Sequence, residues 1–98
     1  MIKNSKQRAY LAGLAANIES SMQIGKSQLT PEIINAVNDL FNNRELVKIT
    51  VLKTCEEDLR SIAEKIGSRT HSDVVKVIGR KIILYKEGKD DKKVIQLP

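Results

Sequence analysis

The sequence has few of the residues from which most enzyme sites are built. A single cysteine, Cys55, cannot form an internal disulfide, and without partner cysteines or a histidine cluster no zinc site is expected. The one histidine, His71, lies in a polar stretch with no cysteine or patterned serine nearby, so we interpret it as an exposed loop residue. The acidic run Glu56–Asp58 is explained by the start of a helix, where carboxylates are stabilising. We therefore predict no enzyme, no cofactor and no small-molecule substrate.

Aromatic side chains and long apolar runs are also scarce. Tyr10, Phe41 and Tyr85 are the only aromatic residues, which argues against a sheet covered with rings that stack on bases. No apolar stretch is long enough for a signal peptide or a membrane span. We therefore expect a cytoplasmic protein without a membrane partner.

Size and charge favour a small basic binding domain. The 98 residues suffice for one domain, which we assign to 1–98, and 41% hydrophobic with 30% charged residues is typical of a folded chain. Lys and Arg exceed Asp and Glu by 17 to 12, for a net charge of +5. Such a charge favours anionic partners by long-range attraction, although many small basic proteins bind nothing anionic.

The tripeptide Gly25-Lys26-Ser27 resembles the end of a nucleotide-binding P-loop. That motif needs a glycine five positions before its last glycine, and Ser20 stands there. A P-loop also runs directly into its helix, whereas Leu29-Thr30-Pro31 predicts a turn first. The match is a fragment, and we do not predict ATP or GTP binding.

Apolar periodicity predicts three helices. The first covers residues 5–18, and the second begins at Pro31, with Thr30 as its N-cap and a left-handed Asn42-Asn43 pair at its end. The third begins at Glu56 or just before it, because Thr54-Cys55-Glu56-Glu57 has the spacing of a capping box. We expect it to end at Gly67 in a positive-φ conformation, followed by a polar connection over 68–73.

Four strands are predicted between and after these helices. They are "MQIG", "ELVKITVL" with one buried face, and a hairpin around Gly79-Arg80 in "VVKVIGRKIILYK". The segment "KDDKK" is a solvated charge run, and "VIQLP" is either a last edge strand or a frayed end. The order α-β-α-β-α-β-β predicts an α/β fold, a compact two-layer sandwich of a mixed sheet packed with three helices.

The loop Gly25–Gln28 is the strongest candidate for binding chemistry. It follows a strand and precedes a helix whose positive N-terminal end can receive a phosphate, with Lys26 adding a charge. The alternative is that it is only a connection. Lys6 and Arg8 lie in the first turn of helix one, where cations oppose the helix dipole, so they are either used for binding or simply solvated.

Three blocks, "SKQRAYLAGLA", "QIGKSQLT" and "VVKVIGRKIILYK", resemble in order and separation the CRM domain, the chloroplast RNA splicing and ribosome maturation domain. The resemblance covers about residues 5–87, leaving 88–98 as a charged C-terminal segment, and extends to the stand-alone bacterial YhbY-like proteins. It implies a fold similar to the C-terminal domain of translation initiation factor 3, binding to structured RNA, association with precursors of the large (50S) ribosomal subunit, and no catalysis.

The same resemblance implies a set of RNA-binding residues. The family's G-x-x-G loop is matched by its first three positions, whereas Gln28 replaces the second glycine and can restrict a left-handed conformation there. The family's basic start of helix one and basic positions of the terminal hairpin are also present. The implied contact residues are Lys6, Gln7, Arg8, Gly25, Lys26, Ser27, Gln28, Arg80 and Lys86.

Two function hypotheses remain at this point. The first is an RNA-binding domain that acts in assembly of the large ribosomal subunit, as a monomer. The second is a protein-interaction module of a ribonucleoprotein complex, without direct RNA contact, in which an exposed sheet edge near Val94–Leu97 accepts a partner strand.

Overall fold

The computed structural model describes residues 2–25, 29–53, 57–88, 95, 97 and 98. Their helices and strands follow the predicted order. They are α1 (Ser5–Ala15), β1 (Met22–Ile24), α2 (Pro31–Leu40), β2 (Leu46–Val51), α3 (Leu59–Thr70), β3 (Asp73–Ile78) and β4 (Lys81–Tyr85). None of these helices is long and apolar enough to span a bilayer.

The described strands form one mixed sheet in the order β1-β2-β4-β3. β1 lies parallel to β2, and β4 lies antiparallel to both β2 and β3. The predicted hairpin is confirmed, with Gly79 at a φ of 56° in its turn. β3 carries an irregularity between Val74 and Lys76, where one extra residue enters the strand.

Helices cover both faces of the sheet. The fold with three helices on a mixed sheet is confirmed, but it has three layers rather than the expected two. On one face, which we call the α2/α3 face, the helices α2 and α3 pack on Ile82 and Leu84 of β4. The other, the α1 face, packs Leu11 and Ala15 of α1 on Ile83 and Tyr85. β4 is therefore apolar on both sides, as a central strand covered on both faces must be.

The ends of the first two helices show which local signals are reliable. Thr30 caps α2 as predicted, since its Oγ1 accepts a hydrogen bond of 3.2 Å from the amide of Ile33. Asn42 and Asn43 do not adopt positive φ, so that prediction is wrong, and α2 is followed by a right-handed turn at Phe41. α1 ends at Ala15 and not at residue 18 as predicted. After its end, Lys48 Nζ donates 3.1 Å hydrogen bonds to the carbonyls of Ala15 and Ile18.

The third helix differs from its prediction at both ends. It begins at Leu59, because Asp58 is the N-cap and accepts a 3.1 Å hydrogen bond from the amide of Ser61. Thr54–Glu56, the start of the expected capping box, lie outside the described residues. Gly67 does not end the helix: it is buried inside, and the positive φ of 56° belongs to His71, which is exposed as expected. Residues 68–70, predicted as part of a polar connection, are helical.

Close packing favours glycine at position 67. A Cβ added there would lie 3.1 Å from the carbonyl oxygen of Ser72 and 3.3 Å from Val74 Cγ2. The chain reverses after His71 and returns against the helix at this position. A side chain would occupy the space that the returning backbone needs.

Three described C-terminal residues, Gly88, Ile95 and Leu97, are held against the sheet end opposite the hairpin turn. We call this end the tail end and define it by Glu45, Asp73 and Tyr85. The carboxylate of buried Glu45 accepts hydrogen bonds from the amides of Gly88 (2.7 Å) and Ile95 (2.6 Å). Ile95 and Leu97 pack on the α1-face core and are not in a strand. The expected exposed edge near Val94–Leu97 is thus absent at these two residues, while Val94 and Gln96 lie outside the described residues.

Candidate nucleic-acid interface

The carboxyl ends of β1 and β2 meet the hairpin turn at one end of the sheet, which we call the loop end and define by Gly25, Leu52 and Arg80. The amide of Leu52 donates to the carbonyl of Ile24 (2.8 Å), and the amide of Val51 donates to that of Arg80 (2.7 Å). These bonds place Leu52 between the other two residues. In open α/β sheets, the carboxyl ends of parallel strands are where ligands bind.

Arg80 uses its guanidinium to hold the end of β2. Its Nε donates to the carbonyl of Val51 (2.9 Å) and its Nη2 to that of Leu52 (2.6 Å). The side chain is half-buried in this position. A planar guanidinium can satisfy two neighbouring carbonyls and still carry its charge at the surface. Arg80 is therefore a structural residue of the loop end, and its contact with RNA stays a prediction.

Gly25 opens the candidate phosphate loop without strain. Its φ is not in the left-handed region, and a Cβ added there would lie at an ordinary distance of 3.6 Å from Leu52 Cδ1. Gly25 is half-buried, and without a side chain the part of it in solvent is backbone. Lys26, Ser27 and Gln28 lie outside the described residues.

The N-terminus of α2 offers less to a phosphate than its sequence suggests. Pro31 has no amide hydrogen, the amide of Ile33 is bonded to Thr30, and Glu32 places a carboxylate in the first turn. α3 also begins at the loop end, where Asp58 caps it and Glu57 forms a 2.9 Å ion pair with Lys65. An anion at this end would depend more on side-chain cations than on the helix ends.

The basic start of α1 lies at the other edge of the sheet, beside β3. Arg8 Nη1 donates to the carbonyls of Val74 and Val75, at 3.2 Å for the second. Gln7 bonds within the N-terminal region and to the C-terminal residue, accepting from the amide of Lys3 (2.8 Å) and donating to the carbonyl of Pro98 (3.2 Å). Lys6 is exposed. Arg8 thus joins helix to strand, as Arg80 joins turn to strand.

Lys86 lies at the tail end, far along the sheet from Gly25. Its Nζ donates to Asn38 Oδ1 (3.1 Å) and lies 5.8 Å from the centre of the Phe41 ring. The predicted residues that the structure describes therefore form three groups: the loop end, the start of α1 beside β3, and Lys86. A single RNA-binding surface that includes the first two groups would need further residues between them.

Sequence analysis missed three exposed cations that the fold places near the loop end, Lys53, Lys76 and Lys81. Lys53 follows Leu52, and Lys81 begins β4 directly after Arg80. Lys76 lines an open pocket together with Arg8, Arg60 and the acidic Glu64, so three of its four charged side chains are cations. The sequence contained a signal for two of them, since Lys76 is a charged residue inside an apolar strand and Lys81 is one at the start of another. Only the strand register shows where these lysines lie.

Among the described residues no cluster of three or more His, Cys, Asp and Glu is arranged to hold a metal ion. Among the described residues, the candidate interface offers lysine and arginine side chains and exposed backbone to a ligand. Such groups bind phosphates and give positioning contacts along a nucleic-acid backbone.

Comparison with known proteins gives a consistent result. The family model for the CRS1/YhbY (CRM) domain matches residues 4–86. A protein of Bacillus subtilis (strain 168) named "Probable RNA-binding protein YqeI" is 37% identical over 93 residues, which are 95% of this chain and 96% of that protein. A Haemophilus influenzae protein named "RNA-binding protein" is 30% identical over 95 residues, covering 97% and 94% of the two chains.

A solved structure shares the fold. The solution structure of a hypothetical protein from Staphylococcus aureus superposes with a TM-score of 0.83 at 39% sequence identity, covering 99% of this chain and 100% of that one. At this identity and coverage, the two chains share the α/β fold described above. The CRM family and the relatives named here are RNA-binding proteins and not known enzymes.

Proposed function

Because the chain belongs to the CRS1/YhbY (CRM) domain family, we propose that it binds RNA and that its target is folded ribosomal RNA in precursors of the large ribosomal subunit. The names of the relatives support RNA binding. The second part is a prediction from the family resemblance. We expect the protein to act in the cytoplasm as a monomer.

The loop end is the observation that carries this proposal. It joins an accessible glycine backbone at Gly25, a guanidinium at Arg80 and the exposed Lys53 and Lys81 at the carboxyl ends of two parallel strands. The loop lysine, Lys26, follows directly in the chain. Cations beside an open backbone suit a phosphodiester, which needs charge neutralisation and close approach.

Binding of this type is governed by phosphate contacts. The free energy comes largely from release of counterions, so affinity falls steeply with salt concentration. Selection of one RNA element would then depend on its folded shape, because the positions of its phosphates must match those of the lysines and arginines. This agrees with a surface that offers few aromatic side chains for base stacking.

Crosslinking in cells tests the proposed target. Wild-type protein, Lys26→Ala and the matched control Lys65→Ala, which removes the same charge from the outer side of α3, are crosslinked to RNA and the bound fragments are mapped. We expect fragments concentrated in large-subunit ribosomal RNA, reduced for Lys26→Ala and retained for Lys65→Ala. In vitro, Lys26→Ala should reduce the salt slope of binding by about one.

Two results would contradict the proposal in different ways. Fragments scattered over many RNAs would remove the ribosomal target, while leaving RNA binding. Absence of crosslinked RNA together with a stable protein complex that survives nuclease and high salt would favour the interaction-module hypothesis. The half-buried positions of Ile95 and Leu97 argue against the strand-addition site on which that hypothesis was based.

A further inference from the structure

Part of the α1 face of the sheet is not covered by α1. The helix packs on the tail half of this face, against Leu46, Val75, Ile83 and Tyr85. Next to the hairpin turn, one residue from each strand forms a row directly across the sheet, which we call the open row. It consists of Gln23, Thr50, Lys81 and Ile78, paired in that order.

Strand alternation shows that the open row lies on the α1 face. Each of its members is adjacent in sequence to a residue that packs on the opposite side, namely Ile24, Val51, Ile82 and Val77. Gln23, Lys81 and Ile78 are exposed, and Thr50 is half-buried with its hydroxyl on Ser20 Oγ at 2.8 Å. The row is therefore an accessible strip across all four strands, about 14 Å long at normal strand spacing.

Two lysines lie on this face of the sheet, within the strip or beside it. Lys81 lies within the row, and Lys76 lies on the same face, because it pairs with Ile83 after the irregularity in β3. Lys76 also lines the pocket that contains Arg8. Lys76 and Lys81 thus connect the start of α1 with Arg80 and Gly25, and the row itself contains no acidic residue.

The strip also exposes aliphatic surface at the loop end. Ile78 is 49% exposed and Leu52 is 37% exposed, among the few large apolar side chains in the described residues with so much surface in water. Ile78 is part of the row, and Leu52 lies between Gly25 and Arg80. A paired RNA helix offers phosphates and hydroxyls to such a surface, whereas an unpaired segment also offers the apolar faces of its bases.

We infer that an unpaired segment of RNA crosses the sheet along the open row, with Lys76 and Lys81 on its phosphates and a base against Ile78. The inference rests on the proposed RNA binding and extends it, since it assigns new contact residues and an unpaired strand as the ligand. It also explains how two separate groups of predicted residues bind one RNA. The RNA backbone runs from Gly25 past Lys81 and Lys76 to Lys6 and Arg8.

The test measures binding to two defined probes: a labelled RNA hairpin with a long single-stranded loop, and the loop sequence annealed to its complement. The variant is Lys76→Gln/Lys81→Gln, and the control is Lys65→Gln/Arg69→Gln, which removes two charges from α3. At about 0.7 in salt slope per phosphate contact on a single strand, the first variant should lose about 1.4 in slope and roughly 25-fold in affinity for the hairpin at 0.1 M salt.

A second pair of variants tests the apolar contact independently of charge. Ile78→Ala should weaken binding of the hairpin without changing the salt slope, whereas Leu14→Ala, at another exposed apolar position, on α1, should leave affinity unchanged. Neither side chain is in the core, so both variants should fold, which circular dichroism verifies. Equal effects of Ile78→Ala on both probes would overturn the assignment of an unpaired strand.

Failure of the inference differs from failure of the proposed function. If wild-type protein binds the hairpin and the Lys76→Gln/Lys81→Gln variant binds as well as wild type, RNA binding stands and the open row is not the path. If the α3 control loses as much affinity as this variant, the effect is net charge alone, and the path is again excluded. If wild-type protein binds neither probe nor cellular RNA, both proposals fall.

Discussion

At the loop end a cation holds backbone carbonyls, whereas at the tail end carboxylates hold backbone amides. Arg80 donates to Val51 and Leu52 in the first case. In the second, Glu45 accepts from Gly88 and Ile95, and Asp73 accepts from the amide of Ile2 (2.7 Å). Both arrangements satisfy backbone groups that the sheet leaves unpaired.

The two ends differ in what they leave exposed. Glu45 and Tyr85 are buried, and the C-terminal residues Ile95 and Leu97 cover the α1-face core nearby. At the loop end, Lys53 and Lys81 remain in solvent beside two exposed aliphatic side chains. We therefore expect substitutions of buried residues at the tail end to change stability with little effect on RNA affinity. Substitutions of the exposed residues at the loop end should do the opposite, whereas Arg80 contributes to both.

The largest effect should come from Glu45→Ala at the tail end. The substitution removes a buried carboxylate that binds two amides and anchors the C-terminal segment, and charge-assisted hydrogen bonds contribute about 1.5–3 kcal/mol each. Since the released amides can partly bond to water, we expect the free energy of unfolding to fall by about 3 kcal/mol. Urea denaturation measures this change.

The control for this prediction is Glu64→Ala, which removes the same charge from an exposed position on α3. It should shift the urea midpoint little. RNA affinity of folded Glu45→Ala should equal that of wild type under conditions where both are native. A loss of affinity that exceeds the unfolded fraction would break the separation between the two ends.

The buried Tyr85, also at the tail end, should make the protein less stable at alkaline pH. Burial raises its pKa to about 12, and the nearby charges of Glu45, Glu87 and Asp73 add to this. Because the folded state retains the proton that the unfolded tyrosine loses near pH 10, stability is complete below about pH 10 and falls as pH rises to about 12. We expect a loss of about 1–2 kcal/mol across this window, measured by denaturation at each pH.

Tyr85→Phe separates this tyrosine from other alkaline effects. Its hydroxyl is buried and has no hydrogen-bond partner among the described residues, so removing it should stabilise the protein by up to about 1 kcal/mol at neutral pH. It should also flatten the decline between pH 10 and 12. Tyr10→Phe, at an exposed position, should do neither. An unchanged alkaline slope in Tyr85→Phe would assign that slope to other groups.

Local signals predicted most of the fold. Thr30-Pro31 identified the start of α2, and Gly79 identified the hairpin turn, because each conformation depends on neighbouring residues alone. The predicted start of α3 was wrong because the sequence offers two N-cap patterns close together. The prediction used the one at Thr54, whereas the N-cap of the helix is Asp58. The role of Gly67 was predicted wrongly because the segment that packs closely on it, Ser72 to Val74, is brought there by the tertiary fold.

The candidate site was less predictable than the fold. The sequence indicated Arg8 and Arg80 as candidate RNA contacts. It did not show that the guanidinium groups of both residues donate hydrogen bonds to backbone carbonyls. Sequence patterns also missed Lys76 and Lys81, whose common face follows from the pairing of β3 with β4 and the irregularity in β3. Grouping of residues from distant segments is set by register and layer order, which local periodicity does not contain.

The smallest change in stability, and the sharpest contrast between the ends, should come from two glycine-to-alanine substitutions. Gly25→Ala at the loop end adds a Cβ at an ordinary 3.6 Å from Leu52, so stability should change by less than about 0.5 kcal/mol, while affinity for the RNA hairpin falls because the methyl group covers accessible backbone. Gly67→Ala should behave in the opposite way. Its Cβ would lie 3.1 Å from the Ser72 carbonyl, and we expect a loss of about 1 kcal/mol because this crowding exceeds the gain in helix propensity.

Urea denaturation and RNA titration of the two variants in parallel decide whether the ends are separate. If Gly25→Ala loses affinity at unchanged stability and Gly67→Ala does the reverse, the loop end binds RNA, and the contact of α3 with Ser72 and Val74, next to the tail-end residue Asp73, contributes to stability. If Gly25→Ala binds as tightly as wild type, the backbone of Gly25 does not approach a phosphate. The binding surface would then be restricted to the side chains of the open row and its neighbouring lysines, since those contacts need no access to the glycine backbone.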